Sequence, residues 1–152
     1  MIKSAEPADA EQEFERLWPL LLASLEPSGL MCPNGKLWLP HNKASIWERI
    51  ARGDALLWPG EASVILTETY QSVTGLRSHH NWLAGGELEE IKYMMGAVEQ
   101  WGRNHGCHRQ TGSGRRGWLK EFTGYEEIGV RKQKCLLPPD WNDGDATVPA
   151  AA

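Results

Sequence analysis

The stretch ELEEIKYMMGAVEQWGRNH, residues 87–105, constrains the fold more than any other part of the chain. Leu88, Ile91, Met94, Met95, Val98 and Trp101 recur at three- and four-residue spacings, the apolar stripe of an amphipathic helix. Glu87, Glu89 and Glu90 fall at its positive N-terminal end. Directly before it, LRSHHNWLAGG reads as a strand that breaks sharply at Ala84-Gly85-Gly86. After Gly106, CHRQT reads as a short strand with one wet face. A strand, a long helix and a second strand in that order are βαβ-like, and a sheet with a helix packed across it follows.

The flanking segments enlarge this unit. In EQEFERLWPLLLASL, residues 11–25, Phe14, Leu17, Trp18, Leu21, Leu22 and Leu25 form a second helical stripe, with Pro19 either kinking the helix or marking its first turn. Residues 26–36, EPSGLMCPNGK, have the Pro, Gly and Asn content of a loop. Asn42 or Ser45 is placed to cap a short helix running to Ile50, with Gly53 after its end. ALLW and SVILTETY read as two antiparallel strands joined by PGEAS. In the strand at 76–86, Arg77, His79 and Asn81 share one face, but Leu76, His80 and Trp82 do not sort cleanly onto the other. RRGWLKEF reads as a two-turn helix stopped by Gly124, and YEEIGVRKQKCLL as a final strand. The expected class is α+β, a mixed central sheet flanked by helices, over a single domain at residues 1–137, with 138–152 a flexible tail.

Composition narrows the function classes. The 152 residues suit one ordinary domain, and eight Trp are several times the usual share, so indoles are expected to carry much of the core. A net charge of −4 would repel a polyanion, which disfavours nucleic acid as a partner. Cys32, Cys107 and Cys135 are odd in number, far apart and lack a CxxC pairing, which fits reduced thiols rather than a disulfide framework or zinc site. His105 and His108 flank Cys107 without a second cluster, so no metal is expected. The N-terminus is acidic and polar and no apolar run approaches the length of a membrane span, so a cytoplasmic protein is expected.

The stretch HRQTGSGRRGWLKEF carries two literal cofactor patterns. Gly112, Gly114 and Gly117 have GxGxxG spacing, but a dinucleotide site needs a buried strand before them and a long helix after them, and neither is present. Arg109, Gly112 and Gly114 match RxxGxG, yet the chain beyond Gly114 is too short for the elements that must follow. Arg115 and Arg116, with backbone N–H groups beside them, remain either an anion site or a solvated basic turn. Trp118 reads as core rather than a stacking platform.

The hairpin ALLWPGEASVILTET, the strand ending in LAGG, the helix from Glu87, and the segments WGRNHGC, GRRGWLKEFTGY and GVRKQ together resemble a compact GNAT-like domain, in its last third the kind encoded by tailed phages and prophages. The resemblance covers residues 40–136 and implies an acetyl-CoA-dependent N-acetyltransferase, in which an amine acceptor attacks the thioester directly. It implies a pyrophosphate loop at Leu83, Ala84, Gly85, Gly86 and Glu87, with Arg115 and Arg116 as further anion contacts. His80 and Glu68 stand on the strands that would line the acceptor site, as bases. His79 is a further candidate on the same strand. In the NxxAxxxYxxxGF pattern, setting Gly124-Tyr125 on the final GF puts Ser113, Arg116 and Lys120 at the other positions, so Lys replaces the Tyr acid. The alternative is a catalytically silent protein with a virion-assembly or host-protein-binding role, and a third reading is a small phosphate-binding module centred on the arginine turn.

Overall fold

The sheet is organised around a strand that is buried on both faces. In the computed structural model, which describes residues 2–113, 118 and 120–142, four strands pair in the order β3-β4-β5-β6: Ala55–Pro59, Ser63–Gln71, Arg77–Gly86 and Arg109–Gly112. The first two pairings are antiparallel and β5 with β6 is parallel. Helices α1, Pro7–Leu25, and α2, Lys43–Ala51, cover one face, and α3, Leu88–Asn104, covers the other as the crossover from β5 to β6. A two-residue ladder, β1 Leu30–Met31 with β2 Leu37–Trp38, lies inside the segment expected to be loop alone. The outer edge of β3 is met by the N-terminal segment, where Ala5 N donates to the Leu57 carbonyl at 2.7 Å.

Residues 63–68 of β4 are all buried, a near-continuous run rather than the half-exposed alternation expected from sequence. Val64 and Leu66 pack with Phe14, Leu17, Leu21 and Ile46 on the α1–α2 side. Ile65 packs with Trp58, Ile91, Met94 and Val98 on the α3 side. Thr67 is tolerated there because its hydroxyl accepts the buried Trp58 indole N–H at 2.9 Å. Aliphatic side chains dominate both cores. Of the indoles expected to fill them, Trp58 and Trp141 are buried, Trp38 is exposed, and the others sit half-buried at the rims.

The strand that sequence periodicity sorts poorly, β5, is ten residues long and bulged. Leu66 pairs with Leu83 and Thr67 with Asn81, so Trp82 is an extra residue. The inward and outward positions exchange at that point. His79 and Asn81 face α3 before the bulge, and Ala84 does so after it. Leu83 joins the α1–α2 core, and Gly85 abuts α1 at Leu20.

Helix ends follow local chemistry. Pro7 opens α1 a turn before the expected start. Pro19 lies well inside the helix, not in its first turn, on an exposed face where the carbonyl it leaves unpaired meets water. Asn42 caps α2, accepting from Ser45 N at 2.8 Å while Ser45 Oγ accepts from Asn42 N at 3.0 Å, so both candidate caps act together. The expected final strand, YEEIGVRKQKCLL, is irregular chain outside the sheet. Its Ile128, Val130 and Leu136 are exposed and half of its other residues are charged, so pairing would bury little apolar area. The second βα repeat expected after α3 is therefore reduced to β6. Half of the expected helix at 115–122 falls outside the described residues; of the rest, Trp118 is helical and Lys120, Glu121 and Phe122 are turn and bend. In the segment expected to be tail, Trp141 is 5% exposed and stacks on Trp38 at 5.7 Å, while 143–152 lie outside the described residues.

The β5–α3 junction is the tightest backbone contact. Gly86 has φ +115, and a Cβ there would lie 2.3 Å from the Ala62 carbonyl. Gly86→Ala is therefore expected to lower the unfolding free energy by about 2–4 kcal/mol in urea titration, through combined backbone strain and overpacking.

Candidate functional site

A cleft opens where β5 and β6 part. Their parallel pairing runs only from Ser78↔Arg109 to Asn81↔Gly112, yet β5 continues to Gly86. Residues 83–86 therefore keep β4 on one side, and among the described residues no strand pairs with them on the other, which leaves that edge of backbone donors and acceptors without a described strand partner. Beside this edge is a cavity of about 80 Å³. Asn81, Ala84 and Ile65 from the sheet, Ile91 and Met95 from α3, and Gly112 and Ser113 after β6 form its walls. Trp118, Phe122 and Tyr125 close it. Trp118 thus packs against the α3-side core, as expected, and also faces the cavity.

Tyr125 brings a phenol into this apolar space. Its hydroxyl donates to Glu99 Oε2 at 2.5 Å. Burial first, then the bond to Glu99 and its charge, push the phenol well above its ordinary pKa, so it keeps its proton. The sequence places Tyr125 in an expected strand and at the end of the family pattern, not as a proton donor, and does not single out Glu99. Lys120, which the motif alignment put in the acid position, is exposed.

On the opposite face, at the last rungs before the split, Glu68 and His80 are direct cross-strand partners. The structure thus brings the two candidate bases together. Glu68 is 5% exposed, and both its oxygens are engaged: Oε1 pairs with the Arg49 guanidinium and Oε2 accepts the Tyr70 hydroxyl. The Tyr70 phenol is pushed up to about 12, by burial first and then by Glu68, with Arg49 opposing. Arg49 also lies 5.3 Å over the Trp82 ring. His80 Nδ1 meets Thr111 Oγ1 at 2.8 Å. Burial holds the His80 imidazole below its ordinary pKa; Glu68 opposes this shift and Arg131 adds to it. His79 points the other way, between α3 and β6, with Nδ1 2.9 Å from Gln110 Oε1 and its ring against Trp101. It therefore does not join the cluster.

The sequence matches no family model and no curated protein. The fold does match solved structures. A Trypanosoma brucei acetyltransferase superposes with a TM-score of 0.57 at 12% identity, covering 90% of this chain and 99% of that one. Glucosamine-6-phosphate N-acetyltransferase from Arabidopsis thaliana gives 0.57 at 13% identity, covering 90% and 97%. A predicted acetyltransferase from Clostridium acetobutylicum, solved with acetyl-CoA, gives 0.57 at 9% identity, covering 90% and 96%. The fold is the GNAT acetyltransferase fold.

Within this GNAT fold, the residues assigned to a pyrophosphate loop do not form a loop. Leu83, Ala84, Gly85 and Gly86 are β5 strand residues, and Glu87 is the N-cap of α3 with no side-chain cap bond. The strand runs directly into the helix because Gly85 and Gly86 let it pass against Leu20 and Ala62. Glu90 turns away from its own helix end and accepts from Glu61 N at 3.0 Å and Ala62 N at 2.9 Å. Its burial raises its pKa, but the bonds from Ser63, Ala62 and Glu61 and the charge of Arg16 outweigh this and lower it. Arg16 completes the clamp by donating to the Gly60 and Glu61 carbonyls. Arg115 and Arg116 lie outside the described residues. Among the described residues no three His, Cys, Asp or Glu converge as a metal site, and none of the helices is long and apolar enough to cross a membrane.

His79 and His80 both have depressed pKa values, chiefly through burial. Their contribution to stability is present above the unfolded imidazole value of about 6.5 and is lost as pH falls through the lower folded values. Urea unfolding at about pH 7.5 and about pH 5.5 is expected to show a loss of at most about 1.4 kcal/mol per pH unit per histidine. The loss should be smaller in His79→Gln. Glu90 adds a further loss only below the ordinary carboxylate range.

Proposed function

We propose that the protein is an N-acyltransferase that binds a thioester donor along the free edge of β5 and transfers its acyl group to an amine. The observation that carries this reading is the parting of β5 from β6 beside the bulge at Trp82, with a cavity on one face and the cross-strand pair of buried Glu68 and half-buried His80 on the other. An extended, amide-bearing donor arm adds to the open strand edge through main-chain hydrogen bonds, and the cavity takes the apolar end. The bulge re-aims backbone N–H groups near Trp82, donors suited to polarising a thioester carbonyl. Solved proteins of similar fold are acetyltransferases, one of them holding acetyl-CoA, which supports the same chemistry here.

The two candidate bases divide by environment. Both Glu68 oxygens are held by Arg49 and Tyr70, so its part is to position the cluster and favour a proton on His80. His80 is neutral near pH 7 because its pKa is depressed, and it takes the amine proton directly or through a water. The amine nitrogen then forms the C–N bond as the C–S bond breaks. Tyr125, held protonated, turns its one O–H from Glu99 to the departing thiolate as negative charge builds on the sulfur.

A second reading, a catalytically silent GNAT-fold protein, is favoured by the carboxylates at the start of α3, Glu87, Glu89 and Glu90. On either reading, a cytoplasmic location and the phage and prophage kinship remain part of the proposal.

Acetyl transfer to a mixture of polyamine, lysyl peptide and amino sugar at millimolar S-acetyl donor tests the enzyme reading by mass spectrometry. His80→Gln is expected to lower kcat about 100-fold. In the native protein the rate should rise with pH through the depressed His80 pKa and stay flat above it. Tyr125→Phe should lower kcat about tenfold with little change in donor KM. No acetylated amine and no thermal shift with any S-acetyl donor would sink the enzyme reading in favour of the silent one.

A further inference from the structure

The cleft and the helix end beside it make opposite demands on a donor. β5 runs toward the N-terminus of α3, so an arm laid on its free edge from the cavity outward ends at Gly86 and Glu87. A nucleotide-bearing thioester would place its pyrophosphate there. A phosphate site at a helix start uses free N–H groups, the positive helix end and nearby cations. Here Glu87, Glu89 and Glu90 occupy the first turn, Glu87 and Glu89 exposed. Among the described residues, the cations at this end are paired: Arg16 with Glu13 at 2.5 Å, and Lys92 with Glu89 at 3.5 Å and Glu121 at 3.4 Å. Gly85 and Gly86 are committed to packing against Leu20 and Ala62, with no loop of extra residues to wrap an anion. The features suited to an amide-bearing arm are present at the strand edge, whereas those suited to a pyrophosphate are reversed in charge.

We infer that the donor is recognised through its pantetheine arm alone, so that the preferred ligand class is an uncharged S-acyl pantetheine rather than a nucleotide-bearing thioester. This inference rests on the thioester-donor reading proposed above. The acyl group and thioester occupy the cavity end, the two amides of the arm pair with the β5 edge, and the outer hydroxyl end passes the α3 carboxylates without repulsion.

Isothermal titration of the full chain with S-acetyl-pantetheine, S-acetyl-4′-phosphopantetheine and acetyl-CoA separates the arm, one phosphate and the nucleotide. The expected result is that S-acetyl-pantetheine binds at least as tightly as acetyl-CoA at low salt. In the Glu87→Gln/Glu89→Gln protein the ratio of the two dissociation constants should move toward acetyl-CoA on the order of tenfold, and less at high salt. Acetyl-CoA binding more than about thirtyfold tighter than S-acetyl-pantetheine in the native protein, about 2 kcal/mol in favour of the nucleotide, overturns the inference and leaves the acyltransferase reading intact. An unchanged ratio in the double variant overturns it as well. Failure of all three ligands to bind overturns the donor reading beneath it.

Discussion

The extra residue at Trp82 is the constraint on which the rest of the molecule depends. A strand with strict alternation would carry the His79 and Asn81 face straight on to Leu83 and Gly85, setting a leucine against α3 and leaving Ala84 toward α1. The bulge exchanges the faces, so Leu83 enters the α1–α2 core and Ala84 lines the cavity next to Asn81. It also coincides with the end of β6 pairing. One inserted residue therefore sets the core on one side of the sheet and stands where β5, among the described residues, loses its β6 partner.

The electrostatics of the two ends of that edge differ in kind. At the inner end a buried carboxylate meets a half-buried guanidinium, a half-buried imidazole and an exposed phenol, and each polar group restrains another: Arg49 and Tyr70 hold Glu68, while Glu68 moderates the shift that burial imposes on His80. At the outer end the charges serve the fold. Arg16 and Glu90 grip the turn between β3 and β4 from two different helices, joining α1 and α3 across the edge of the sheet. A helix start used in that way has its most useful carboxylate pointed at backbone N–H groups of a neighbouring turn, and its remaining carboxylates facing solvent.

Much of the architecture was legible along the chain because it rests on local periodicity and turn chemistry. The stripes of α1 and α3, the capping pair Asn42 and Ser45, Gly53 after α2, and the hairpin 55–71 all follow from spacings of a few residues. Glu68 and His80 were legible as individuals, since each stands at a strand position with acid–base chemistry. Their being partners was not, because register depends on the bulge. The reading of YEEIGVRKQKCLL as a strand failed because two alternating apolar residues among charges satisfy a pattern without providing area to bury. The pairing of Tyr125 with Glu99 was invisible because they lie 26 positions apart, and only the return of the chain over α3 brings them together.

By itself, the sequence determined the element types and the order of hairpin, strand, helix and strand, since helix and strand periods are properties of neighbouring residues. The tertiary structure alone decided that β5 outruns β6, that a phenol and a carboxylate meet in the resulting cavity, and that Glu90 serves a distant turn. Those outcomes depend on which backbone groups find partners across the sheet, a competition among segments far apart in the chain.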